Sequence, residues 1–141
     1  MKLLFSSLLL IAYCLLPVFL FSQTKAEFRG VWVATVDNID WPSRGNYNSD
    51  SQKVEFIKLL DMHQRNGMNA LIVQIRPATD AFYPSQYESW SEFLTGTQGQ
   101  PPVPYYDPLE FMIAETHKRG MEFHAWMSSR RCRPSFKGKK N

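Results

Sequence analysis

The sequence predicts an α/β protein whose parallel strands are joined by helices, and three observations carry that prediction. Residues 28–36 are β-branched and aromatic with apolar residues on both faces, as in a strand of a buried parallel sheet, and residues 70–75 form the next expected strand. Helical spacing follows each of them, and a further strand is expected at residues 122–127. The two helix exits resemble each other: Arg65-Asn66-Gly67-Met68-Asn69 leads into one strand and Arg119-Gly120-Met121-Glu122 into the next. Strand, helix, strand, helix, strand implies parallel pairing with right-handed crossovers, which either a barrel or an open doubly wound sheet would satisfy.

The chain has 141 residues, enough for one domain. A complete (β/α) barrel takes roughly 250. Aromatics make up 14% of the residues, a rich share that suits a large core, a sugar-stacking cleft or both. The formal charge of +3 conceals an uneven distribution: residues 24–127 hold nine Lys and Arg against all thirteen Asp and Glu, a net of −4. Basic charge gathers instead in the tail, at Arg130, Arg131, Arg133, Lys137, Lys139 and Lys140. Nucleic-acid binding needs a basic face on a folded element, so it is not expected.

Residues 1–23 open with Lys2, continue through an apolar stretch and exit at Ser22-Gln23-Thr24, the pattern of a secretory signal. Ser6, Ser7 and Pro17 interrupt the run, which disfavours a retained anchor of about 20 apolar residues. Cys14 follows the bulky Tyr13, so lipoprotein anchoring is not expected. Cleavage would leave Cys132 alone and the mature chain without an intramolecular disulfide. The expectation is an exported protein of the periplasm, envelope or exterior that meets the membrane only through its signal.

The first strand gives way to the polar stretch from Asp37 through Pro42 to Ser49. A helix then starts at Ser49 or Asp50, buries Val54, Phe56, Ile57 and Leu60 with His63 as a further candidate, and stops at Gly67. Arg76-Pro77 ends the second strand. Residues 78–106 hold four Tyr, two Phe and Trp90 among turn-forming residues, an aromatic loop expected to pack over the sheet's mouth. Asp107 as N-cap, Pro108 at the first helical position and Glu110 as capping-box partner open the second helix, which buries Leu109, Met112 and Ile113 and stops at Gly120.

Barrel active sites form at the C-terminal ends of the strands. That places Asp37, Asn38, Asp40 and Trp41 after the first strand, Gln74, Arg76, Asp80 and Tyr83 at the second, and His124 and Trp126 on one face of the third. Sugar sites combine rings for stacking with Arg, Asp, Asn and Gln for hydroxyls. Blander readings accompany these: Asp37 and Asp40 as turn formers, Asp80 as the ion partner of Arg76, Trp41 and Trp90 as loop core, His124 as a hydrogen-bonded structural residue. No metal-ligand spacing, Gly-x-Ser-x-Gly elbow or glycine-rich phosphate turn is present, so no metal or cofactor is expected.

Phe28-Arg29-Gly30-Val31-Trp32-Val33, Trp41-Pro42, the run from Asn69 to Pro77, Asp80-Ala81-Phe82-Tyr83, Tyr106-Asp107-Pro108-Leu109 and the run from His117 to Trp126 together resemble the start of the glycosyl hydrolase-like 10 family. The resemblance covers about residues 27–127. It implies a partial (β/α)8 TIM barrel, its first three strands and two helices, behind an N-terminal signal peptide. It also implies glycoside hydrolysis in the cell envelope, with carbohydrate as partner and peptidoglycan glycan strands as a plausible target. After His-Ala-Trp and one further apolar residue, here Met127, the family typically continues Asn-Pro-Tyr-Arg, whereas this chain reads Ser128-Ser129-Arg130-Arg131-Cys132-Arg133-Pro134. Residues 128–141 are therefore read as a disordered or frameshifted tail. Catalytic carboxylates are expected on later strands, which leaves this chain inactive in hydrolysis or serving as a non-catalytic glycan-binding module. Arg76, Asp80 and Tyr83 are expected to position substrate, backed by Asp37, Trp41, His124 and Trp126, with Asp80 the one catalytic candidate.

Overall fold

A computed structural model describes residues 27–128. The leader read at residues 1–23, the tail beyond Ser128 and both cysteines lie outside the described residues. Strands β1 (Gly30–Val33), β2 (Ala70–Arg76) and β3 (Glu122–Met127) form one open parallel sheet in the order β1-β2-β3. Helix α1 (Ser49–Arg65) connects β1 to β2, and the one-turn α2 (Glu92–Thr95) and α3 (Pro108–Lys118) connect β2 to β3. This is the expected α/β class, consistent with part of a (β/α)8 barrel.

Local chemistry sets the helix boundaries. The Asn48 side chain caps α1 by accepting from the Asp50 and Ser51 amides, and Asp107 caps α3 by accepting from those of Leu109 and Glu110, with Pro108 behind it. Gly67 and Gly120 close the exits at φ of 77° and 67°, left-handed angles that a side chain would oppose.

On α1, Gln52, Phe56 and Leu60 recur every four residues and form the buried stripe. Val54 lies half a turn from that stripe and is 52% exposed, contrary to expectation. Met112 is the fully buried apolar anchor of α3, while Leu109 and Ile113 are only partly covered.

Register divides the sheet into two faces. Val31, Leu71 and Phe123 align across the strands, as do Val33 and Val73, and this face packs with Phe56, Leu60 and Met112 in the core. Trp32, Ile72 and His124 align on the other face, next to the Gln74 and Trp126 pair. Here Trp32 is 60% exposed and meets Trp126 edge-on, with ring centroids 5.1 Å apart.

The structure corrects two expectations about elements. The first strand ends at Val33 instead of running to residue 36, because side chains take over its ladder: the Ala34 amide donates to Asp40 Oδ2 at 2.7 Å, and the Thr35 and Val36 amides donate to Gln74 Oε1. The long loop, expected without helix, contains α2, capped by the Ser91 hydroxyl accepting from the Phe93 amide. Bridges between Ala81 and Trp90 and between Asn48 and Val103 fix the rest of that loop against the body. Gln52 pins it from beneath, its amide Nε2 donating to the Asn46 and Leu94 carbonyls at 2.7 Å each.

Candidate functional site

The C-terminal ends of all three strands meet at Gln74, a side chain only 3% exposed. Its Oε1 accepts from the Thr35 and Val36 amides at 3.2 and 3.1 Å, and its Nε2 donates to Ser128 Oγ at 3.0 Å. The Thr35 hydroxyl donates back to the Gln74 carbonyl at 2.7 Å. One amide side chain thus fixes the first and third strand ends relative to the second.

Arg76 stands two residues on, past an irregularity in the β2–β3 register. Its guanidinium pairs with Glu88 and donates through Nη1 to the Ser128 carbonyl at 3.1 Å. Tyr83 donates its hydroxyl to the other Glu88 oxygen at 3.3 Å. The Glu88 hydrogen bond holds the Arg76 pKa above its ordinary value, and burial, followed by the Glu88 charge, raises that of the Tyr83 phenol. At neutral pH the mouth of β2 therefore presents a fixed cation and a protonated phenol.

Asp80 lies close by but faces inward. It is 2% exposed, and its Oδ1 accepts from the Ala78 amide at 2.9 Å, closing the turn in which Thr79 adopts φ of 58°. The anticipated Arg76–Asp80 ion pair gives way to Arg76–Glu88, and Asp80 acts on Arg76 only through its charge. Glu88 was not among the sequence candidates. Twelve residues of loop separate it from Arg76, and nothing in periodicity reveals such a pairing.

Trp41 is wholly buried, its ring against Phe56 at 5.3 Å and Phe82 at 6.0 Å, and its indole N–H donates to the Gln52 carbonyl at 3.0 Å. With no face open, it is core and offers no stacking platform. Asp37 stands apart on a 3-10 turn at Val36–Asn38, exposed and at φ of 54°. His124 faces the open side of the sheet, 3.1 Å from Glu122 Oε2 and edge-on to Phe28 at 5.4 Å. The structure therefore gathers Arg76, Tyr83 and Asp80 at one strand end and His124 with Trp126 on the adjoining face, while Asp37 and Trp41 lie elsewhere. Trp32 joins the open face, and sequence alone hid it among the apolar residues of its strand.

A guanidinium, a phenol and two indoles can orient the hydroxyls of a polyol and stack against its apolar face. Among the described residues no group of three or more His, Cys, Asp or Glu could hold a metal ion. Nor is any described helix long and apolar enough to cross a membrane.

Successive parallel βα units with polar groups at the C-terminal strand ends make the chain a small α/β unit of the kind from which TIM barrels are built. The chain belongs to the glycosyl hydrolase-like 10 family, which matches residues 27–140. The matched span runs into the basic tail that sequence reading set apart. The chain is 60% identical over 107 residues to Glycosyl hydrolase YngK of Bacillus subtilis (strain 168), covering 76% of this chain and 21% of that protein. It is 40% identical over 113 residues to Glycosyl hydrolase DigH of Escherichia coli (strain K12), covering 75% of this chain and 25% of the relative. The chain thus spans about a fifth to a quarter of the length of these curated relatives.

Proposed function

We propose that residues 27–128 form the opening wall of an exported glycoside hydrolase barrel acting on O-glycosidic bonds, with bacterial cell-wall glycan as substrate. In this reading the wall holds the glycan and does not itself cleave it. The carrying observation is the strand-end array in which Gln74 and Glu88 fix Arg76 and Tyr83 beside the open Trp32–Trp126 face.

Cleavage needs two carboxyl groups flanking the bond, about 5–5.5 Å apart for retention or about 6.5–9.5 Å for inversion. At this strand end Asp80 is buried and Glu88 is engaged by Arg76 and Tyr83. Neither is presented to a glycosidic oxygen, so the cleaving pair belongs to other strands of the barrel. Export rests on the positive, apolar and polar succession of residues 1–23.

A non-catalytic glycan-binding module is the second reading, favoured by the exposed rings of Tyr87 and Tyr105 on the loop, 95% and 66% accessible. Titrating the chain with chitotetraose while following tryptophan fluorescence tests the proposal. Binding weakened by Arg76→Ala and Trp126→Ala supports the strand-end site. Binding weakened only by Tyr87→Ala and Tyr105→Ala favours the loop module, and no binding by the unaltered chain contradicts both.

A further inference from the structure

We infer that Glu88 determines which sugar unit the strand end accepts: its carboxylate, held between Arg76 and Tyr83, selects an uncharged unit over one that carries a carboxylate. The inference deepens the strand-end reading above and rests on it.

Arginine grips a carboxylate best through a fork of parallel N–H bonds, and the Nε–Nη2 edge is one such fork. In this protein that edge is already filled, because Arg76 Nε and Nη2 both reach Glu88 Oε1. Nη1 donates to the Ser128 carbonyl at 3.1 Å. Every nitrogen of the guanidinium thus has a protein acceptor. What a ligand meets is single N–H bonds, which suit a hydroxyl or an amide carbonyl.

Tyr83 completes the pattern. Its hydroxyl donates to Glu88 Oε2 at 3.3 Å, which turns the phenol oxygen into an acceptor for a ligand hydroxyl. Donor and acceptor side by side are the two halves of recognition of an uncharged polyol.

Charge points the same way. The Arg76 and Glu88 side chains are 23% and 16% exposed, so water and salt screen them only in part. Glu88 answers the Arg76 charge, and Asp80, itself buried, adds a second carboxylate that acts on the guanidinium through its charge. A ligand carboxylate at this strand end would meet two like charges and a cation already engaged, a repulsive element of the kind that sets specificity. Cell-wall glycan alternates N-acetylglucosamine, which is uncharged, with N-acetylmuramic acid, which carries a lactyl carboxylate. The strand end therefore takes the glucosamine unit and sets the register in which such a glycan lies.

Amide chemical shifts of Arg76 and Tyr83 in the 141-residue chain test the inference. They are followed during titration with chitotetraose and, separately, with a tetraglucuronate whose every unit carries a carboxylate. Reading the shifts at these two residues keeps ligand captured by the basic tail out of the measure. Chitotetraose should bind about tenfold more tightly than the tetraglucuronate. Glu88→Gln, which keeps the shape and removes the charge, should narrow that ratio by about tenfold, whereas Glu88→Asp, which keeps the charge, should preserve the preference. Equal affinities in the unaltered chain, which needs no variant to fold, would overturn the role of Glu88 and leave the strand-end carbohydrate reading standing. So would an unchanged ratio in a folded Glu88→Gln protein, or a loss of preference equal in both variants. Binding of neither ligand would overturn both.

Discussion

Thr35 and Gln74 are joined twice across the ends of β1 and β2: the Thr35 amide donates to Gln74 Oε1 at 3.2 Å, and its hydroxyl donates to the Gln74 carbonyl at 2.7 Å. Both residues are buried, so neither bond has water as a ready substitute. Gln74→Ala would strand the Thr35 and Val36 amides and should destabilise the chain by about 1–3 kcal/mol. Urea denaturation followed by circular dichroism measures this, and an unchanged midpoint would show that the clasp is dispensable.

Trp41 is predicted to act through packing alone. Trp41→Ala should cost about 3–5 kcal/mol by opening a cavity against Phe56 and Phe82. Trp41→Phe should lose less and keep glycan affinity near that of the unaltered chain, as titration calorimetry would show. A selective loss of affinity in a folded Trp41→Phe protein would instead give the indole a part in binding.

The open face makes the opposite prediction. Trp32 is 60% exposed, so Trp32→Ala should change stability by no more than about 0.5 kcal/mol beyond its edge contact with Trp126. Glycan affinity should fall in the same variant. Thermal denaturation and titration of one sample separate the two effects.

Arg119 ties α1 to α3, donating to Asp61 Oδ1 at 2.7 Å and Glu115 Oε2 at 2.9 Å. Hydrogen bonds from Lys118 and then Arg119 lower the Glu115 pKa. A carboxyl depressed in the folded state stabilises above its unfolded pKa and loses that contribution as pH falls through the folded value. Stability should therefore decline on acidification from about pH 5 downward, and Arg119→Ala should make that part of the slope shallower. Denaturation midpoints at a series of pH values decide the matter, and identical slopes in the two proteins would contradict it.

The parallel order, the two capped helices and β3 were legible in the sequence because their signals are local. Asp107-Pro108 announces a helix within its own first turn, and Gly67 and Gly120 announce ends within one residue. The end of β1 was not legible, since Asp40 and Gln74 displace its ladder from outside the strand. The same holds at the site. Arg76 and Tyr83 could be placed by position after a strand, but their common partner Glu88 comes from deep in a loop whose path depends on α2 and on Gln52 beneath it. Trp41 carried two readings, stacking platform and loop core, because a tryptophan beside a strand end reads alike whether it faces a ligand or the core, and the structure buries it.

Incubating the 141-residue chain with purified cell-wall glycan strands, and measuring retained protein and newly released reducing ends in one reaction, tests the central claim most directly. The account predicts that the chain is retained on the glycan and releases no reducing ends above the protein-free control. Release of reducing ends by this chain would contradict it, because carboxylates within residues 27–128 would then have to serve in cleavage, and failure to bind the glycan would remove its foundation.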